Sequence, residues 1–320
     1  MQDKVSVVIP VFGRDDVFRT VDLLRGVDYV ESLRVIVVDN GNEEPLSQRL
    51  AGLESEFVHV IRLDENRGGS GGYIAGVKYA MEKHADSNLI WLLDDDAVPN
   101  AESLPGLCAV YHAKVAEGIP VASVGSVEVS LTDGETILEC GADFSYKTNI
   151  KCKLPGERLS EHPNETLEVT YTSGASGLLD KNVIRACGFW GDVFIHYDDV
   201  EWGVRTTRLG YKNFATTRSV VRHPVVGGIG HIRPWISYYD TYNYLWLGAR
   251  HYKLAFVRSL LKSFAYDCWH LLIRGVPERD VAALLARFDF LKGRRRLRKE
   301  VEEVMDELKA CLCRHNRLRK

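Results

Sequence analysis

The sequence predicts an α/β fold, a mixed and mostly parallel sheet flanked by helices, with a helical C-terminal extension. Three observations carry this. Over the first hundred residues, short β-branched runs alternate with segments of helical apolar period. The runs end at turn or acidic residues, namely Pro10, Asp39 and Asp94. Beyond about residue 226 strand-like runs cease and the chain reads as helix.

Residues 5–10 (VSVVIP) predict a buried strand closed by Pro10, and Asp15 to Leu24 a helix. Arg34 to Val38 is a second strand running into Asp39-Asn40-Gly41, a turn signal, and Phe57 to Leu63 a third. Gly68-Gly69-Ser70-Gly71-Gly72 opens a helix reaching about His84, and Leu89 to Leu93 is a fourth strand ending in Asp94-Asp95-Asp96. From about 120 to 180 come shorter strand-like runs: Val121 to Leu131, Ile137 to Phe144 and Leu167 to Thr172. Asp199 to Leu209 predicts a helix and Phe214 to Arg222 a last strand, before His223-Pro224. In parallel sheets ligands bind beyond the C-terminal strand ends, where Pro10, Asp39, Asn66 and Asp94 fall.

Composition narrows the class. With 45% hydrophobic and 27% charged residues and a net charge of -3, the chain reads as an ordinary globular protein and not a nucleic-acid binder. Seven cysteines in no regular framework, with no export signal in the first residues, predict reduced thiols and a cytoplasmic protein. Cys311-x-Cys313 has no second ligand pair nearby, so zinc is not expected. No stretch reaches the roughly 20 apolar residues of a membrane span. Leu291 to Lys320 carries 11 Lys/Arg against 5 Asp/Glu, with Val301, Val304, Met305, Leu308, Cys311 and Leu312 on one helical face. Such a helix either lies on the inner face of an anionic membrane, pairs with another helix, or packs on its own domain.

Three clusters carry chemistry. Adjacent carboxylates repel, so Asp94-Asp95-Asp96 needs a compensating cation. On a strand end Asp94 and Asp96 project to one side and can share a hard ion, Mg²⁺ or Mn²⁺, that bridges a diphosphate. The glycine run lets a ligand approach backbone N–H groups at a helix start, although it is neither a Walker A loop nor a dinucleotide fingerprint. In Phe194-Ile195-His196-Tyr197-Asp198-Asp199-Val200-Glu201, the acids either answer the helix dipole or include a general base for a hydroxyl. His223, at a strand end, is either a metal ligand or a structural histidine.

In this order, VSVVIPVFGR, VIVVDNG, ENRGGSGG, WLLDDDAVP, FIHYDDVEWGVR and VRHP resemble the family 2 glycosyltransferases of GT-A fold, over roughly residues 4 to 250. The arrangement looks most like bacterial galactofuranosyltransferases, with rhamnosyltransferases second. The resemblance implies a catalytic domain over 1–225, divided into a nucleotide-sugar half (1–100) and an acceptor half (101–225), and a helical region over 226–320. It implies that Pro10, Phe12 and Arg14 border the nucleotide and that Asp39 reads the base. Asn66, Gly68 and Gly69 meet the nucleotide sugar. Asp94, Asp96 and His223 hold Mn²⁺ or Mg²⁺ and the diphosphate, with Asp95 beside them. Asp199 becomes the catalytic base and Asp198 a sugar-binding neighbour. Trp190, Trp202 and Glu201 are acceptor-binding candidates, the tryptophans as a stacking face unless they belong to the core.

The implied activity is inverting transfer from a nucleoside-diphosphate sugar, UDP-galactofuranose foremost, to a hydroxyl of a glycan or lipid-linked glycan. The alternatives are a dTDP-rhamnose or other UDP-hexose transferase, a metal-dependent hydrolase, and a non-catalytic nucleotide-sugar-binding scaffold. The chain departs from the family at Val11-Phe12-Gly13-Arg14 and lacks tryptophans just before Ser173-Gly174.

Overall fold

A computed structural model describes residues 3–27, 32–224, 233–258, 260–261, 278–295, 298 and 300–306. They form two compact units. The first comprises the described residues up to Phe194 and those from Asp198 to Val225, and the second Ile195–Tyr197 with the described residues beyond.

The first unit is built on a ten-stranded sheet. Its strands are β1 (Lys4–Val11), β2 (Ser32–Asp39), β3 (Val58–Arg62), β4 (Leu89–Leu93), β5 (Val98–Pro99), β6 (Val121–Ser130), β7 (Ile137–Glu139), β10 (Thr166–Val169), β11 (Ser176–Asp180) and β12 (Lys212–His223). The main order is β10-β12-β6-β11-β4-β1-β2-β3. β1, β2, β3 and β4 run parallel, as do β6 and β12, whereas β11 lies antiparallel between β4 and β6. A separate hairpin joins β8 (Ala142–Ser145) to β9 (Asn149–Cys152).

Two helical layers explain why the strands read as continuous apolar runs rather than alternating ones. Val7, Ile9, Trp91 and Leu93 pack on one face with Val17 and Val21 of α1 (Asp16–Leu24) and with Leu104 and Leu107 of α4 (Ser103–Ala116). Val8, Ile90 and Leu92 face the other way, onto Tyr73 and Val77 of α3 (Gly68–Lys83) and Val183 of α5 (Lys181–Cys187). A short α2 (Leu46–Ala51) follows β2, and α6 (Asp198–Arg208) precedes β12.

Several sequence expectations change here. Ile137 to Phe144 is not one strand, because Gly141 at φ 64° turns the chain between β7 and β8. The run Leu167 to Thr172 leaves the sheet after Val169. Helices α4 and α5 and strand β11 were not predicted. α4 buries one face, but Ala109, Ala113, Val115 and Ala116 stand exposed on the other, so its sequence shows no amphipathic period.

In the second unit, α7 (Pro234–His251) packs on α8 (Glu278–Leu291) through an edge-on Tyr242–Phe290 contact and a hydrogen bond from Tyr238 to Asp289. The amide of α7 Asn243 donates to the carbonyls of Ile195 and His196. Of the predicted basic helix, Val301 and Met305 are buried, which favours packing on its own unit, while Leu308, Cys311, Leu312 and Cys313 lie outside the described residues. No helix among the described residues is long and apolar enough to cross a membrane.

Candidate active site

Strand β4 delivers Asp94 at its C-terminal end, and two contacts fix the acids that follow. The Asp94 N–H donates to Ala175 at the start of β11, and the buried Thr20 hydroxyl of α1 bonds the carbonyls of Asp95 and Ala97. β5 then pairs with the end of β12, Val98 opposite Arg222. That pairing carries His223 to the acids from far along the chain.

One ligand atom from each of Asp94, Asp96 and His223 lies within 4.8 Å of the others. His223 Nε2 is 3.2 Å from Asp96 and 3.7 Å from Asp94, yet it has no hydrogen-bond partner. Its Nδ1 lies 3.1 Å from the Pro224 carbonyl, which can only accept, so Nδ1 carries the proton. With a cation bound, the neutral ring would turn its Nε2 lone pair to that ion beside the two carboxylates; without one, a proton on Nε2 takes the same place. Two hard oxygen donors and one oriented imidazole fit Mn²⁺ or Mg²⁺.

The exposed Arg14 guanidinium pairs with Asp96 and stands 4.0 Å from Asp95. Burial and then Asp94 push Asp95 up to about 7, against the pull of Arg14. Burial works against charge on both His223 and Asp94, but each favours the other's charged form: the imidazole is raised and the carboxyl lowered.

Tyr73, which the sequence reading missed, joins these acids to the second cluster. Its hydroxyl lies 2.6 Å from Asp94 Oδ1 and 3.0 Å from the Gly174 carbonyl. The Gly174 N–H in turn donates to Asp199 Oδ2 at 3.3 Å. Burial, followed by Asp94, raises the Tyr73 phenol well above its ordinary value, so it stays a donor. Tyr73, Gly174, Asp198 and Asp199 line one narrow pocket, whose wall includes Trp190 and Trp202. For Tyr73 itself, the only mark in the sequence was its place just after the glycine run that opens α3. Backbone strain is a further feature hidden from sequence: Phe194, His196 and Tyr197, just before Asp198, all hold left-handed φ values. Such residues cost about 1–3 kcal/mol each and gather at functional sites.

The glycine loop is corrected in part. A Cβ on Gly68 would meet the Phe194 carbonyl at 2.0 Å, and one on Gly72 would meet Pro10 at 2.7 Å. These glycines admit the protein's own backbone and seat α3 against β1. Only Gly69 opens on free space. Asn66 orders this loop: its Oδ1 accepts from the Gly68 N–H and the Asn40 amide, and Asn40 also bonds Arg67 and Gly68. Asp39 is buried and its oxygens already accept from the Asn42 backbone and amide and from Ser47. It orders the strand-end loop in which Asn42 also holds Gly13 and Val11. Phe12 beside it is 44% exposed, open to a ring partner.

The acceptor candidates are corrected outright. Glu201 is 0% exposed and takes both arms of Arg205, at 3.0 and 3.1 Å, while Arg205 also bonds the carbonyls of Cys187 and Phe189. It is an internal tie between α6 and the end of α5. Trp190 and Trp202 are 5% and 4% exposed and meet edge to face, so neither offers an open ring for stacking. Helical rotation turned Glu201 and Trp202 inward, which a cluster read linearly conceals.

Residues 6–153 match the model of Glycosyl transferase family 2. The chain is 23% identical over 288 residues to the galactofuranosyltransferase GlfT2 of Mycobacterium tuberculosis, covering 81% of this chain and 44% of that protein. It is 27% identical over 184 residues to the dTDP-rhamnosyl transferase RfbF of Shigella flexneri, covering 55% and 54%. The chain thus spans about half the length of the curated relatives it matches. The fold resembles the mannosyltransferase PcManGT from Pyrobaculum calidifontis, solved with GDP-Man and Mn²⁺, at a TM-score of 0.55 and 12% identity over 92% of this chain and 89% of that one. Over residues 6–153 the chain is thus similar to the family 2 glycosyltransferases, and its mixed sheet with flanking helices is of GT-A fold.

Proposed function

We propose that the chain is an inverting glycosyltransferase that moves a sugar from a nucleoside-diphosphate donor, UDP-galactofuranose foremost, to a hydroxyl of a glycan or lipid-linked glycan. The observation that carries this is the convergence of Asp94, Asp96 and His223 at one point beside the nucleotide loop. A Mn²⁺ or Mg²⁺ held by these three residues would act as Lewis acid toward the departing diphosphate. The chain's own groups do the rest. The Asn40–Asn66 loop and Phe12 receive the nucleotide, and Arg14 supplies positive charge beside the phosphates. Asp199, oriented by the Gly174 N–H, takes the proton of the acceptor hydroxyl as it attacks the anomeric carbon from the face opposite the leaving group. Tyr73 ties the carboxylate that faces the donor to the segment that orients the base.

A dTDP-rhamnose transferase is the second reading, favoured by the likeness to RfbF. A screen of nucleotide sugars for Mn²⁺-dependent thermal stabilisation tests both, since a ligand that binds only the folded chain raises its melting temperature. A shift with UDP-galactofuranose and none with dTDP-rhamnose is expected. The reverse selects the second reading, and no shift with any donor refutes the donor site.

A further inference from the structure

Next to the site just described, a groove runs from Asp96 beneath α1. It consists of two cavities of about 240 and 510 Å³ that share Arg19 and Val98. The nearer is also lined by Arg14, Thr20 and Asp96, the farther by Leu23, Leu159, Val220 and Arg222. Nothing described so far uses Arg19 or Arg222.

Both arginines are exposed, and among the described residues neither has a carboxylate within ion-pair distance, whereas Arg14 is engaged by Asp96. The farther cavity has no Asp or Glu among its described lining residues. Gly134, at φ 66°, leaves room for the Arg222 guanidinium, whose atoms lie 3.0–3.1 Å from where a Cβ would stand. Two guanidinium groups facing one cavity repel each other unless an anion lies between them, and their forked donors match phosphate oxygens. The donor's diphosphate has its own seat at Asp94, Asp96 and His223. Apart from Asn100, the rest of the lining is mostly apolar, with Leu23, Leu159, Val220 and Pro99 among it, and suits an alkyl chain.

We propose that this groove binds a phosphate group of the acceptor, with Arg19 and Arg222 as its ligands and an apolar chain following the phosphate into the farther cavity. The inference rests on the glycosyltransferase reading, because it assigns the groove to the molecule that receives the sugar. The acceptor's hydroxyl end then reaches over the strand ends to Asp199.

The test is calorimetric titration of the full chain saturated with UDP and Mn²⁺, using octyl phosphate and inorganic phosphate as probes. Octyl phosphate is expected to bind, more tightly than inorganic phosphate. The double variant Arg19→Gln/Arg222→Gln should weaken it at least about tenfold, the loss expected for charged hydrogen bonds, while UDP binding is unchanged. Equal affinity for the two probes keeps the phosphate site but assigns it to a soluble phosphate ester rather than a lipid. Octyl phosphate displaced by UDP, or bound equally by the double variant, overturns the groove. Should UDP itself fail to bind with Mn²⁺, the donor reading falls, and repeating the probe titration on both proteins without UDP or Mn²⁺ still decides the groove.

Discussion

Two acid clusters look alike in the sequence and behave differently in the fold. Asp94-Asp95-Asp96 ends a strand, where alternate residues project to one side, so Asp94 and Asp96 converge and His223 completes the set. Asp198, Asp199 and Glu201 begin a helix, where each residue turns about 100° from the last. Asp199 meets the Gly174 N–H, while Glu201 faces inward to Arg205. A third pair, Glu128 and Glu139, face each other across the β6–β7 ladder. The same carboxyl group is thus one of a converging set, the partner of a loop N–H, a structural tie or a buried acid, according to the backbone that carries it.

The comparison can be broken at its strongest point first. Asp199→Asn should lower turnover by about 10²–10⁴-fold, the usual worth of general-base help, while UDP binding with Mn²⁺ stays as in the wild type. A near-normal rate would remove Asp199 from the chemistry. Glu201→Gln should act on stability instead. It strands a guanidinium that is only 14% exposed, so a loss of about 3 kcal/mol is expected as a lower urea midpoint. An unchanged midpoint with lost activity would return Glu201 to the site.

Tyr73→Phe should cost about tenfold in kcat/KM with the fold intact, as one hydrogen bond to a charged group is removed. A pH effect concerns the buried pair of acids. Burial, and then Glu128, push Glu139 up to about 8. Its folded value exceeds the unfolded one, so its contribution to stability is complete below pH of about 4 and is lost as pH rises toward 8. Urea unfolding at pH 5 and pH 8 should therefore show Glu139→Gln gaining on the wild type at the higher pH. Parallel curves would mean that Glu139 is not held neutral.

Much of the site was legible because its parts carry local signals. Strands β1 to β4 alternate with amphipathic or glycine-led segments, and the acids follow an apolar run. The misreadings share one cause. The glycines were assigned to a ligand, but Gly68 and Gly72 accommodate Phe194 and Pro10, which lie elsewhere in the chain. Glu201 was placed at the acceptor, and the tryptophans left between a stacking face and the core, because polarity and aromaticity near an acidic motif do not say which way a side chain faces. Tyr73 carries no signal of its own, since its role depends on Asp94 and Gly174 arriving from two other strands.

By itself the sequence determined the α/β order, the strand ends at Pro10, Asp39 and Asp94, and the chemistry available there, because strand period, turn residues and charge repulsion are local properties. The family resemblance implied that His223 joins Asp94 and Asp96, and the tertiary structure brings the three together; it alone decided that Tyr73 links them to Asp199 and that Arg19 and Arg222 share a groove. Those juxtapositions depend on β5 pairing with β12 and on β11 inserting between β4 and β6. Such long-range pairings are fixed by the packing of the whole sheet and leave no local trace in the residues they bring together.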